Sequence, residues 1–171
     1  MKTEFREWAI DQHDVVCNQK YDGNQPYSNH LKFVEAQAKK FSHLLSEGDR
    51  SLVYLGAIGH DLLEDARVSY NDILARAGYQ VAEIIFLCTE NKGRSRDERH
   101  NQDFYTMLGS NPLAVYVKLC DIIANVTYSL LTGSSMIEKY RKENSKTYDY
   151  LYLKKYDEMF VYLKKLLDLT A

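Results

Sequence analysis

The stretch Gly56-Ala57-Ile58-Gly59-His60-Asp61-Leu62-Leu63-Glu64-Asp65 places an imidazole and three carboxylates within six residues of an otherwise apolar helical pattern. An isolated buried carboxylate is costly unless it is paired or binds a cation. Crowded carboxylates also push one another's pKa upward. A divalent metal removes both difficulties. Two further polar interruptions supply the remaining donors: His30, after Pro26-Tyr27-Ser28-Asn29, and Asp121, within Val117-Lys118-Leu119-Cys120-Asp121-Ile122-Ile123-Ala124. His30, His60, Asp61 and Asp121 together offer two nitrogens and two carboxylates from three helices. That set leaves open positions for water and substrate, as a catalytic metal requires. Mixed imidazole and carboxylate donors suit manganese, iron, zinc or cobalt, with manganese the first expectation, whereas an all-carboxylate set favours magnesium or calcium. Glu64 lies four residues after His60, so on a helix both project from one face and the carboxylate reaches water held there.

Lys92, Arg94, Arg96 and Arg99 fall within eight positions, just before Asp97 and Glu98 open a helix. Guanidinium groups match phosphate oxygens in a two-pronged geometry. The cluster therefore reads either as a phosphate-binding loop or as a solvated run of mixed charge. Lone helical histidines more often serve the core or the surface, and His13, His43 and His100 are read that way. Tyr148, Tyr152 and Tyr156 at four-residue spacing read as a packing stripe, in the core or at the interface of a homodimer. Nothing local requires Arg141 or Tyr148 to line a pocket rim.

Helices must position these groups. Two prolines and eight glycines punctuate the chain, and long stretches show three-to-four-residue apolar spacing. A first helix is expected from about Thr3 to Gln19, with Phe5, Trp8, Ala9, Val16 and Cys17 inward, followed by a turn at Lys20–Pro26. A second carries His30, Phe33, Val34, Gln37, Phe41, Leu44 and Leu45 and ends near Gly48. Asp49 caps a third that runs through Leu62. Ser69 and Asp72 form a capping box ahead of a short helix stopped by Gly78. Helices over Val81–Thr89 and Asp97–Leu108 follow. Asn111 and Pro112 then open an apolar helix over Leu113–Leu131 that carries Asp121 and Asn125. A last helix bears Tyr148, Tyr152, Tyr156, Met159, Leu163 and Leu166 as one stripe. The expected architecture is an all-α compact bundle forming one domain over residues 1–171.

Composition sets limits on function. With 171 residues, 45% hydrophobic and 27% charged, the chain is neither disordered nor collagen-like. No apolar run is expected to approach the ~18 residues of a membrane span, and Met1–Trp8 is too polar for a signal peptide. A net charge of −2 argues against gripping duplex nucleic acid by its phosphates. Cys17, Cys88 and Cys120 lack metal spacing and read as small buried hydrophobes of a reducing, cytoplasmic compartment.

Three motifs in order, Gly23-Asn24-Gln25-Pro26-Tyr27-Ser28-Asn29-His30, His60-Asp61-Leu62-Leu63-Glu64-Asp65 and Lys118-Leu119-Cys120-Asp121-Ile122-Ile123-Ala124-Asn125, carry a family resemblance. Over roughly Gln12 to Asn125 the chain resembles the HD-domain metal-dependent phosphohydrolases, most closely the RelA/SpoT-type and stand-alone alarmone (ppGpp) hydrolases. The resemblance implies an all-α HD-domain bundle with His30, His60, Asp61 and Asp121 on the metal. It implies that Glu64 and Asp65 orient or deprotonate the attacking water. Asn125 and Lys118, with Lys20, Tyr21, Lys92, Arg94, Arg96 and Arg99, would contact a small phosphorylated nucleotide. The implied activity is guanosine-3′,5′-bis(diphosphate) 3′-pyrophosphohydrolase. The alternatives are an HD-type hydrolase of another small substrate, such as a nucleoside monophosphate, and a non-catalytic nucleotide-binding module. Departures concern the base: Lys20 and Tyr21 stand where the family has Arg-Lys, one extra residue separates Gly23 from Pro26, and Leu31 replaces a common proline.

Overall fold

The computed structural model describes residues 2–169. The chain folds as α1 (Lys2–Asp11), a wide π turn (Gln12–Val16), a two-stranded hairpin β1 (Lys20–Tyr21) and β2 (Gln25–Pro26), and then helices α2 (Ser28–Lys40), α3 (Glu47–Gly59), α4 (Leu62–Asp65), α5 (Tyr70–Ala77), α6 (Tyr79–Cys88), α7 (Arg96–Arg99), α8 (Gln102–Gly109), α9 (Pro112–Thr132), α10 (Met136–Leu151) and α11 (Asp157–Leu167). The fold is all-α, as the periodicity predicts.

Helix α9 is the axis. It packs on α2, α3, α6, α8, α10 and α11, and Ala114 through Leu119, except Lys118, are fully buried apolar positions. Asn111 caps it by accepting from the N–H groups of Leu113 and Ala114, with Pro112 behind it. By length and mean hydropathy (1.3) this 21-residue helix is apolar enough to cross a bilayer, contrary to the expectation that no run approaches that length. Its apolar surface instead meets other helices. A second cluster, built on Phe5, Ala9, Leu31, Ile58, Leu62 and Ile85, fills the space between α1, α2, α3 and α6. Close approach is specified at Gly56, where an added Cβ would stand 2.7 Å from Ile84 Cγ2 and 3.3 Å from Val117 Cγ2.

Several boundaries differ from expectation, each for a local reason. The π turn rotates Val16 outward, so Val15 and Val16 are exposed and Cys17 is only half buried. Residues 20–26 form a hairpin, with Asp22 and Gly23 both at positive φ at its tip. Ser46, and not Asp49, caps α3, accepting from the Asp49 N–H. The capping box of Ser69 and Asp72 forms as expected. The expected helix over 97–108 breaks at His100, where Asn101 caps α8. The tyrosine stripe is interrupted at Tyr152: Tyr148 and Tyr152 are exposed and stack on each other, while Tyr156, Met159 and Leu163 enter the core.

Candidate metal centre

The end of α3 decides the site. Adjacent residues on a continuous helix diverge by about 100°, so His60 and Asp61 would face different directions. The chain leaves α3 at Gly59, and Asp61 adopts φ −98° and ψ 0° before α4 begins. That break brings His60 Nε2 and Asp61 Oδ2 within 3.0 Å. His30, from the first turn of α2, places its Nε2 3.3 Å from His60 Nε2 and 3.6 Å from Asp61 Oδ2. Asp121, from the middle of α9, sets Oδ1 3.4 Å from His30 Nε2 and 3.6 Å from His60 Nε2.

These separations test the fit to a metal. Donors bonded ~2.1 Å from one ion stand ~3.0 Å apart at octahedral right angles and ~3.4 Å apart at tetrahedral angles. The observed 3.0–3.6 Å contacts span that range. His30, His60 and Asp121 each offer an atom within 4.8 Å of the others'; Asp61 contacts both imidazoles but stands outside that mutually close set of three. The His60 Nδ1–H donates to the Ala57 carbonyl at 2.8 Å, which turns the Nε2 lone pair toward the shared centre. Asp121 is held from two sides: Lys118 Nζ donates to Oδ2 at 3.1 Å and Asn125 Nδ2 to Oδ1 at 2.6 Å. The donor set fits a divalent cation.

The electrostatics agree. Burial pushes the His60 imidazole down, yet the Asp61 charge and hydrogen bonds to Asp121 and Asp61 outweigh it and hold its pKa well above ordinary. Burial opposes ionisation of Asp121, but the Lys118 ammonium and the two imidazoles hold its carboxyl well below the usual range. Asp61 is lowered in the same way, with His60 as its main counter-charge. The closeness of imidazoles and carboxylates sets both directions. Lys118, buried against the cleft, is raised because Asp121 and Asp61 overcome the cost of burial.

Glu64 and Asp65, on α4, lie at the rim of the same cleft. Loss of solvent on one side, then the nearby Glu90 charge, raises the Glu64 carboxyl, and the Glu90 N–H donates to Glu64 Oε2 at 3.2 Å. Tyr27 donates from its hydroxyl to Asp61 Oδ2 at 2.6 Å and also lies 3.2 Å from Asp65 Oδ2.

The donors open into a cleft with about 180 Å³ of space for solvent. Its lining mixes apolar and aromatic side chains (Phe104, Tyr105, Ile122, Tyr140) with charged and polar ones (Glu90, Arg96, His100, Lys139, Glu143). Of the expected substrate contacts, Tyr21, Arg96, Lys118 and Asn125 line the cleft, while Lys20, Lys92, Arg94 and Arg99 do not. The hairpin explains the first pair. Successive strand residues face opposite sides, so Tyr21 turns in, stacking on His30 at 5.0 Å and donating to Asn125 Oδ1 at 3.1 Å, and Lys20 turns out. Arg94 has a side chain 94% exposed, and Lys92 is exposed beside it. Arg99 is spent on Glu90 at 2.9 Å. Arg96 is itself doubly paired, with Glu143 at 2.6 and 3.1 Å and Glu90 at 3.2 Å.

Sequence reasoning missed Glu90, Glu143, Lys139 and Tyr140, which no local pattern marks. It also assigned His100 and His13 to structural roles. His100 lines the cleft and bonds Glu90. Tyr27 stood inside the quoted Pro26-Tyr27 motif, where its hydroxyl was the available signal.

The architecture is an all-α bundle whose central cleft gathers histidines and aspartates from α2, the α3–α4 break and α9. In particular, the chain is similar in fold to a solved structure described as a metazoan ortholog of SpoT that hydrolyzes ppGpp and plays a role in starvation responses. The TM-score is 0.75 at 20% identity, covering 96% of this chain and 92% of that one. No protein-family model and no curated protein matches the sequence.

Proposed function

We propose that this chain, acting over residues 1–171 as one domain, is a metal-dependent phosphohydrolase of a small phosphorylated nucleotide. The observation that carries the reading is the convergence of His30 Nε2, His60 Nε2, Asp61 Oδ2 and Asp121 Oδ1 beside the carboxylates of Glu64 and Asp65. These four residues hold a divalent cation, with manganese first and iron, cobalt and zinc also suited to the donors. When bound, such an ion lowers the pKa of water and offsets charge on phosphoryl oxygens.

The protein's own groups do the rest. Glu64, raised by its surroundings, is matched to taking a proton from the attacking water. Asp65 orients that water. Lys118 and Arg96 stand where phosphate charge gathers. The leading substrate is guanosine-3′,5′-bis(diphosphate), supported by the fold's likeness to a ppGpp hydrolase. Water oxygen bonds to the phosphorus on the sugar 3′ oxygen, that P–O bond breaks, pyrophosphate departs, and the 3′ oxygen takes a proton.

One observation favours a second reading, a substrate with fewer phosphates. Lys20, Lys92, Arg94 and Arg99 lie off the cleft lining, and Arg96 is already neutralised by Glu90 and Glu143. Incubating the protein and Mn²⁺ with ppGpp, guanosine and adenosine monophosphates and a 3′-phosphorylated nucleotide, with products read by anion-exchange chromatography, separates the readings. Pyrophosphate release from ppGpp is expected. Orthophosphate release from a monophosphate alone establishes the second reading, and binding without turnover of any of them establishes a non-catalytic module.

A further inference from the structure

Resting on the hydrolytic reading above, we infer that His13 and Gln19 are positioning residues that fix which oxygen of Asp65 faces the reaction. His13 is fully buried, although it lies outside the donor cluster. Its Nδ1 stands 2.6 Å from Gln19 Oε1, and Gln19 Nε2 donates to Asp65 Oδ2 at 3.0 Å. An amide oxygen only accepts, so His13 is the donor and carries its proton on Nδ1. This choice fixes the amide. With Oε1 committed to His13, the Gln19 NH₂ must point at the carboxylate, whereas a flipped amide would aim an oxygen at it.

The same oxygen of Asp65 lies 3.2 Å from the Tyr27 hydroxyl, whose proton goes to Asp61, and the His13 ring stacks on Tyr27 at 4.9 Å. Gln19, which donates to Asp65 Oδ2, and Tyr27, which donates to Asp61 and stands beside that oxygen, both rest on His13, and Asp65 Oδ1 stays clear for water. The backbone is shaped for this. The π turn presents His13, Asn18 takes φ +47° to reverse the chain, and the Gln19 N–H returns to the His13 carbonyl at 2.8 Å. Asp14, next in the turn, accepts from the Ser28 N–H at 3.0 Å and so ties the turn to the start of α2. His13 Nε2 is buried without a hydrogen-bond partner. Leaving a buried polar atom unpaired is unfavourable, so this histidine's use lies in what Nδ1 does.

The experiment combines kinetics with a measurement independent of turnover. His13→Ala is expected to lower kcat about tenfold with KM little changed, as loss of a supporting hydrogen bond does. His13→Asn, whose side-chain NH₂ donates from near the Nδ1 position, recovers most of the rate and guards against a folding defect. In an Asp65→Ala background, His13→Ala has no further effect. Equal losses in both backgrounds, or none in either, overturn the inference. Separately, long-range ¹⁵N NMR of the wild-type protein should find the His13 proton on Nδ1, and Asp65→Ala should shift the Gln19 side-chain NH₂ resonances. A proton on Nε2, or Gln19 resonances indifferent to Asp65→Ala, overturns it even if the wild-type protein hydrolyses no nucleotide, an outcome that sinks the functional reading instead.

Discussion

Adding Mn²⁺ should raise the melting temperature of the wild-type protein and leave that of His60→Ala almost unmoved. Four donor atoms 3.0–3.6 Å from their neighbours are already gathered in the folded chain, and nothing gathers them in the unfolded one. A cation therefore binds the native state selectively. At 100 times its dissociation constant it adds about 2.7 kcal/mol. For a domain of this size each kcal/mol moves the midpoint by roughly 2–4 °C, which gives a shift of about 5–11 °C. His60→Ala removes one donor and the Ala57 anchor that aims it, and leaves the His30–Asp121 contact of 3.4 Å. If affinity falls about 100-fold, the same Mn²⁺ concentration adds only ~0.4 kcal/mol, under about 2 °C. His43→Ala is the control. His43 is exposed, pairs with Glu158 at 2.8 Å far from the cleft, and should retain the full shift. Differential scanning fluorimetry with Mn²⁺, Co²⁺, Zn²⁺ and anaerobic Fe²⁺ makes the comparison. Absence of a shift with every cation, or equal shifts in His60→Ala and wild type, would refute the metal centre.

Three further outcomes follow from particular contacts. Glu64→Gln keeps an oxygen for the Glu90 N–H, so the Mn²⁺ shift should persist while hydrolysis falls about 10²–10⁴-fold; unchanged turnover would remove Glu64 as the base. Burial resists ionisation of Glu90, but the His100 hydrogen bond, Lys118 and Arg99 overcome it and hold its carboxyl at about 2 against an ordinary 4.5. Its folded-state pKa is lowered, so its contribution, up to ~3 kcal/mol, is complete above pH 4.5 and is lost as pH falls toward 2. Urea melts at pH 7, 4 and 3 should show this loss in wild type and a shallower one in Glu90→Gln; parallel curves would contradict it. Gly56→Ala forces a methyl into Ile84 and Val117, both branched at Cβ and held in buried helices, and should destabilise by about 1–3 kcal/mol in the same melts. A neutral result would mean that α3 and α6 separate freely.

The sequence determined the helical class, the cap at Asn111 and Pro112, the capping box at Ser69, and the histidines and aspartates that meet in the cleft. Each was visible because it breaks or ends a local periodicity: a carboxylate amid an apolar run, or a proline at a first turn. Only the tertiary structure decided which cations face the cleft. The spacing of Lys92, Arg94, Arg96 and Arg99 is the same whether they grip phosphate or salt-bridge, and the partner that settles it for Arg96, Glu143, lies 47 residues away. Tyr21 and Lys20 were likewise inseparable until the hairpin gave them opposite faces. His13 looked like any buried histidine, because its meaning lies in an amide six residues on and a carboxylate 46 beyond that. Periodicity reports which side of an element is dry; which polar groups meet across the fold depends on packing angles and chain reversals that no local pattern encodes.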